Sequence, residues 1–165
     1  MYSQYIWIYR FHLLVIQMQL RKAKITDLKT IISWIPNELE CKIWAGPKVR
    51  FPLSVERLSK DIEFSVNNSY CLIKSENIIA FGQILTKEKG YLHIARIIVD
   101  PSKRVMGYGK ILCKELLQIA MQKGYHKISL NVYRNNTRAL KLYENLGFRE
   151  TAEKSSKENC HMIMP

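Results

Sequence analysis

The chain has 165 residues, of which 47% are apolar and 24% charged, the proportions of an ordinary globular domain with one adequate core. Nothing in it reads as a second domain, an internal repeat or a low-complexity tract. The net charge of +12 suits a polyanionic ligand. The basic residues are dispersed, however, without an aromatic-interleaved patch or a nucleic-acid motif, so the expectation is a solvated lysine-rich surface and no specific nucleic-acid partner.

In chain order, IWIYRFHLLVI opens the sequence. It is apolar but too short to span a membrane, carries Arg10 and His12, and is followed by no small-residue cleavage site. Residues 1–17 are therefore expected to be an N-terminal extension, packing locally or pairing as an extra strand, and residues 18–165 to be the domain. A strand is expected over 18–24 and a helix from Asp27 capped by Thr26. A second helix follows Asn37, with Asn37 and Glu40 as a capping-box pair, and Ser54 caps a third. Strands are expected over 69–75, 78–86 and 91–99, joined by turns at Glu76-Asn77 and at 87–90. A central helix then runs to Gly124, followed by a strand over 127–133, a helix starting at Asn136 and two closing strands near 149 and 160. The polar run EKSSKEN reads as a hairpin loop or mobile segment. This order gives an α/β (α+β) layered single domain with a mixed, mostly antiparallel sheet of six or seven strands.

The 4 cysteines, Cys41, Cys71, Cys113 and Cys160, are scattered, and only Cys160-His161 brings a cysteine beside a histidine. No metal site is expected. Cys113 lies on the apolar side of the central helix as a small core residue, and the set suits a reducing cytoplasm.

Two segments carry chemistry. The first, RVMGYGK, follows the strand-like IARIIV and an Asp100-Pro101 break, and it precedes a helix marked by Leu112, Leu116, Ile119 and Ala120. Gly107 and Gly109 thus sit at a strand-to-helix junction. There a ligand can approach the backbone closely, and the first free N–H groups of the helix attract phosphate. Arg104 adds a charge-assisted contact and Lys110 a diffuse positive field. A Walker loop would need Gly at position 104 and Ser or Thr at 111, where Arg104 and Ile111 stand; a dinucleotide fingerprint would need Gly where Leu112 stands. What remains is Arg-x-x-Gly-x-Gly, a plain turn or a pyrophosphate cradle. In the second segment, NTRALKLYENLGF, Asn136, Ala139, Tyr143 and Gly147 share one helical face that Asn135 or Asn136 can cap and Gly147 can end. Alone, it is equally an amphipathic helix packed through Leu140, Leu142 and Leu146.

Taken together, RVMGYG and N-x-x-A-x-x-x-Y-x-x-x-G-F resemble the GNAT superfamily of acetyl-CoA-dependent N-acetyltransferases, over about residues 18 to 164 and most strongly from 91 to 148. The resemblance implies a splayed parallel strand pair whose gap holds the pantetheine arm, with Ile97, Ile98 and Val99 as the backbone ladder. It implies that Arg104, Val105, Met106, Gly107, Tyr108, Gly109 and Lys110 cradle the pyrophosphate and that Asn136 holds the cofactor nearby. Acetyl-CoA is the implied co-substrate, with no metal, and a primary amine the acceptor. Tyr143 matches the family's proton donor: a phenol with pKa near ~10 is protonated at neutral pH and can serve a thiolate leaving group. A strand N–H around Val99 would polarise the thioester.

The base is where the sequence departs from the family. Neither of the two strand positions that commonly hold glutamate does so here: His93 stands at one and Asn131 at the other, and an amide cannot accept the proton. His93 is accordingly the candidate base. Acceptor specificity is implied to lie in SWIPNELECKIWAGPKVRFPLS, where Trp34 and Trp44 are either pocket walls or core anchors. The competing readings are a catalytically inactive coenzyme-A-binding sensor or interaction module, motivated by the missing carboxylates, and a basic RNA- or ribosome-associated module. A homodimer stays open.

Overall fold

The computed structural model describes residues 18–88, 91–125 and 127–164; the expected extension, residues 1–17, lies outside the described residues. A 7-stranded sheet forms the middle layer, in the order β1-β2-β3-β4-β5-β7-β6. Its strands are β1 (Met18–Lys22), β2 (Ser69–Lys74), β3 (Asn77–Glu88), β4 (Tyr91–Val99), β5 (Lys127–Tyr133), β6 (Arg149–Glu150) and β7 (Asn159–Met164). Among the described residues five α-helices accompany it: α1 (Leu28–Ser33), α2 (Glu38–Ala45), α3 (Val55–Asp61), α4 (Tyr108–Gln122) and α5 (Thr137–Asn145). All ladders are antiparallel except β4 with β5. The mixed, mostly antiparallel α/β architecture expected from the sequence is therefore the one observed.

The alternation of side chains along the strands separates two cores. On one face Tyr70, Leu72, Ala80, Leu92 and Ile94 pack with Leu112, Leu116 and Ala120 of α4 and with Tyr143 of α5. On the other, Cys71, Phe81 and Ile98 pack with Leu28, Ile31, Cys41 and Leu58 of α1 to α3. All four cysteines are buried and free. Burial pushes the Cys113 thiol up to about 12, consistent with an inert core residue.

Of the three helix starts before β2, two match the sequence reading and one does not. Ser54 caps α3 through the N–H of Arg57 at 3.2 Å. The Asn37 side chain caps α2 by accepting the N–H of Glu40 at 2.9 Å. Thr26 caps nothing, because Asp27 takes over the junction. Its carboxylate accepts the N–H of Lys24 at 2.7 Å and pairs with Arg21 at 2.6 Å, so β1 stops at Lys22 and a 3-10 turn over Ile25–Asp27 leads into α1. Burial alone would raise the Asp27 pKa, but these bonds outweigh it and hold the carboxyl below its ordinary range.

The local feature that positions the site is an irregularity in β4. Its register with β3 shifts between Phe81 and Gln83, and Arg96 takes a left-handed φ of 55°. The Arg96 guanidinium donates to the Gln83 side-chain oxygen at 2.7 Å, while the Arg96 carbonyl accepts the indole N–H of Trp44 at 2.9 Å. A strained residue held from both ends in this way is over-determined by its surroundings. Gly82 stands opposite the bulge, where a Cβ would lie 2.6 Å from Ile97 Cδ1 and 2.9 Å from Leu116 Cδ1. Gly82→Ala is expected to push both side chains from their positions and cost about 1–3 kcal/mol of stability. Urea denaturation checks this, and an unchanged midpoint would contradict the close packing at the bulge.

Candidate active site

β4 and β5 pair in parallel at Tyr91 with Lys127, Leu92 with Ile128 and His93 with Ser129, and no further along either strand. Beyond that point each strand is held only on its far side: β4 against β3 up to Val99, and β5 against β7 up to Tyr133. The inner edges therefore diverge with their backbone N–H and C=O groups unclaimed by a ladder, an arrangement stable only where something else can satisfy those groups. The gap opens into a cleft of about 700 Å³, within the range that small-molecule and cofactor sites occupy.

The glycine segment closes one side. Asp100 ends β4 by accepting the N–H of Ser102 at 2.8 Å, and a 3-10 turn over Pro101–Lys103 carries the chain to Arg104. Val105 (φ 69°) and Gly107 (φ 83°) are both left-handed, so the chain curls. The side chains of Val105 and Met106 stand in solvent, 83% and 62% exposed, while Val105 and Gly107 contribute to the cleft wall. α4 then begins with Ile111 N–H bonding to the Gly107 carbonyl at 3.2 Å, which leaves the preceding N–H groups without helical acceptors. Arg104, Lys110 and, from α5, Arg138 add positive charge to the lining. A pocket edged by free N–H groups and cations has the chemistry to attract phosphate oxygens.

α5 supplies the opposite wall. Asn136 caps it, its side-chain oxygen accepting the Ala139 N–H at 3.2 Å, and both residues line the cleft. Tyr143 also lines the cleft, yet it is only 7% exposed and lies edge-on to Phe148, with ring centroids 6.1 Å apart. Burial, with a smaller contribution from the neighbouring Cys113 thiol, pushes the Tyr143 phenol well above its ordinary range. It is held in the protonated, donating form. Leu140, Leu142 and Leu146 pack on the core at the same time, so the helix packs as an amphipathic one while Asn136, Ala139 and Tyr143 line the cleft.

The residues singled out from the sequence do not all reach the cleft. Ile97, Ile98, Val99, Arg104, Val105, Gly107, Tyr108, Gly109, Lys110, Asn136 and Tyr143 line it; Met106 and His93 are not among the lining residues. His93 is at the last paired position before the strands part, buried, with Nδ1 2.9 Å from Ser129 Oγ. Ser129 in turn donates to the Leu92 carbonyl at 3.4 Å. Three contributors went unnoticed in the sequence. Arg138 lines the cleft but looks like any exposed helical arginine. His161 on β7 holds Asn131, a lining residue, with Nδ1 2.8 Å from the amide oxygen. Glu40 lines the cleft from α2; the capping-box pattern that drew attention to it concealed this, because only the Asn37 half of the box forms. Trp34 and Trp44 meet both descriptions offered for them, packing on the second core and walling the cleft. Among the described residues no cluster of histidine, cysteine or carboxylate side chains could hold a metal ion, and no helix is long and apolar enough to cross a membrane.

Comparison with known proteins agrees with this geometry. The model of the acetyltransferase (GNAT) family matches residues 33–148. The chain is 25% identical over 141 residues to a glucosamine 6-phosphate N-acetyltransferase of Trypanosoma brucei brucei, covering 82% of this chain and 91% of that one. It is 35% identical over 79 residues to the ribosomal protein bS18-alanine N-acetyltransferase of Haemophilus ducreyi, covering 47% of this chain and about half (52%) of that one. In three dimensions it resembles the PaiA N-acetyltransferase of Thermoplasma acidophilum, solved with coenzyme A, at a TM-score of 0.71 and 22% identity over 88% of this chain and 97% of the other.

The two glycines of the loop differ in what they tolerate. An alanine at Gly107 would be forced into a left-handed conformation, whereas a Cβ at Gly109 would meet Val99 and Leu142 at ordinary distances of 3.6 and 3.7 Å. Gly107→Ala is expected to cost about 1 kcal/mol. Gly109→Ala is expected to keep or gain a few tenths, since alanine is the better helix former. Thermal unfolding of the two variants checks the order, and the reverse order would contradict the loop geometry.

Proposed function

The chain belongs to the acetyltransferase (GNAT) family, and from that premise we propose that it transfers an acetyl group from acetyl-CoA to a primary amine by direct attack in a ternary complex. One observation carries the reading: the unpaired inner edges of β4 and β5, the N–H groups of the glycine loop and the buried Tyr143 all face one cleft. The pantetheine arm of acetyl-CoA lies along Ile97, Ile98 and Val99 as an added strand, bonding the open backbone edge. Its pyrophosphate meets the loop from Arg104 to Lys110, and Arg138 and Asn136 complete the grip.

The chemistry follows from this placement. A neutral amine nitrogen attacks the thioester carbonyl carbon, and a strand N–H near Val99 stabilises the developing oxyanion. The tetrahedral intermediate then collapses with cleavage of the C–S bond. The departing thiolate, formed in the same desolvated cleft, takes its proton from Tyr143, whose burial keeps the phenol protonated up to that step, and the phenolate regains a proton from solvent. The ammonium formed on nitrogen loses its proton to solvent. His93 serves this transfer only through water, because its imidazole faces Ser129 behind the cleft wall rather than the cleft. Asn131, fixed by His161, orients the acceptor.

Tyr143→Phe is expected to keep acetyl-CoA affinity and to lower kcat by about 10²–10⁴-fold, the usual worth of a positioned acid. Steady-state kinetics with an amine acceptor, alongside titration of the cofactor, checks this. A Phe variant with full turnover would remove Tyr143 from the mechanism.

A further inference from the structure

The transfer mechanism leaves one part of the cleft without a role, the face of α2 that presents Glu40, Ile43 and Trp44, together with Trp34 and Ile35. Glu40 is the single acidic side chain among the lining residues, where every other charged group is basic. The three ion pairs of the described residues engage Asp27, Asp61 and Glu150, and none engages Glu40. Its backbone N–H is bound by the Asn37 cap, but its carboxylate does not return to close the capping box. A half-buried glutamate thus lines the cleft beside Trp34 and Trp44, with no ion pair to it among the described residues, on a chain carrying a net charge of +12.

We propose that Glu40 is the acceptor-docking group of the cleft, and that the acceptor is an alkyl diamine or polyamine. This rests on the N-acetyltransferase reading and adds the substrate class to it. A carboxylate partly withdrawn from water attracts an ammonium group more strongly than an exposed one does, and indole faces add cation–π attraction. The same attraction stabilises the charged form of the docked nitrogen. That nitrogen therefore cannot be the one that attacks, because attack needs a free lone pair. The acceptor consequently carries two nitrogens: one held as ammonium by Glu40, the other uncharged at the thioester, with an apolar stem between them along Ile35 and Ile43. An acceptor bearing phosphate or carboxylate at that position would meet like charge.

The test is calorimetric titration of 1,4-diaminobutane, butylamine and glucosamine 6-phosphate into the wild type, Glu40→Gln and Glu38→Gln, each with and without coenzyme A. Glu38 lies on the same helix, is exposed and does not line the cleft, so its variant reports generic surface attraction. The expected result is that the diamine binds the wild type and Glu38→Gln alike and binds Glu40→Gln at least about tenfold more weakly, with butylamine and the sugar phosphate weaker throughout and coenzyme A affinity equal in all three proteins. Equal diamine affinity in wild type and Glu40→Gln, no diamine binding to the wild type, or preference for glucosamine 6-phosphate would each overturn the proposal. Absence of coenzyme A binding would instead strike the N-acetyltransferase reading, and the titrations without coenzyme A keep the two failures apart.

Discussion

The parting of β4 from β5 immediately after the pair His93–Ser129 is the constraint on which the rest of this structure depends. Two parallel strands that continued side by side would bond each other and leave no cleft. Here the bulge at Arg96 redirects β4, and it is locked by Gln83 on one side and by the Trp44 indole on the other. Gly82 gives Ile97 and Leu116 the room to close over the bend. A sheet defect in this way leaves an open edge, whose backbone groups would be costly if buried and unbonded, facing the cleft.

Burial and charge are distributed around that gap in a consistent pattern. Apart from Arg96 on β4, the lining cations lie from Lys103 through the glycine loop and at the start of α5, where phosphates are expected. The one acid lies on α2, at the elements to which the family resemblance assigns acceptor choice. Tyr143 belongs to the core on the α4–α5 side: its ring packs edge-on against Phe148, and that same burial keeps its hydroxyl protonated. A single side chain thus serves the packing of the helix and lines the cleft, which is why an apolar reading and a catalytic reading of the segment were both defensible from the sequence.

Much of the architecture was legible in the residues because it is encoded locally. Caps at Asn37, Ser54 and Asn136, the Asp100-Pro101 break and the period of α4 each depend on a few neighbouring positions, and each lies where the sequence indicates. The loop from Arg104 to Lys110 is legible for the same reason. What escaped the sequence depends on long-range placement. Thr26 lost the capping role because Arg21 and Lys24 converge on Asp27. Whether a strand histidine faces the cleft or Ser129 depends on where β4 leaves β5, which no local pattern records. His161 reaches Asn131 across two antiparallel strands, and Glu40 turns into the cleft although its spacing to Asn37 signals a cap.

The central claim is that the open β4–β5 edge and the glycine loop together bind coenzyme A. Thermal unfolding with acetyl-CoA, beside ATP at the same concentration as a control for anion attraction to so basic a chain, tests it most directly. A ligand at ~100 times its dissociation constant adds about 2.7 kcal/mol. The account predicts stabilisation by acetyl-CoA well beyond that by ATP, because only the former carries a pantetheine arm to fill the gap. Equal shifts, or none, would contradict it.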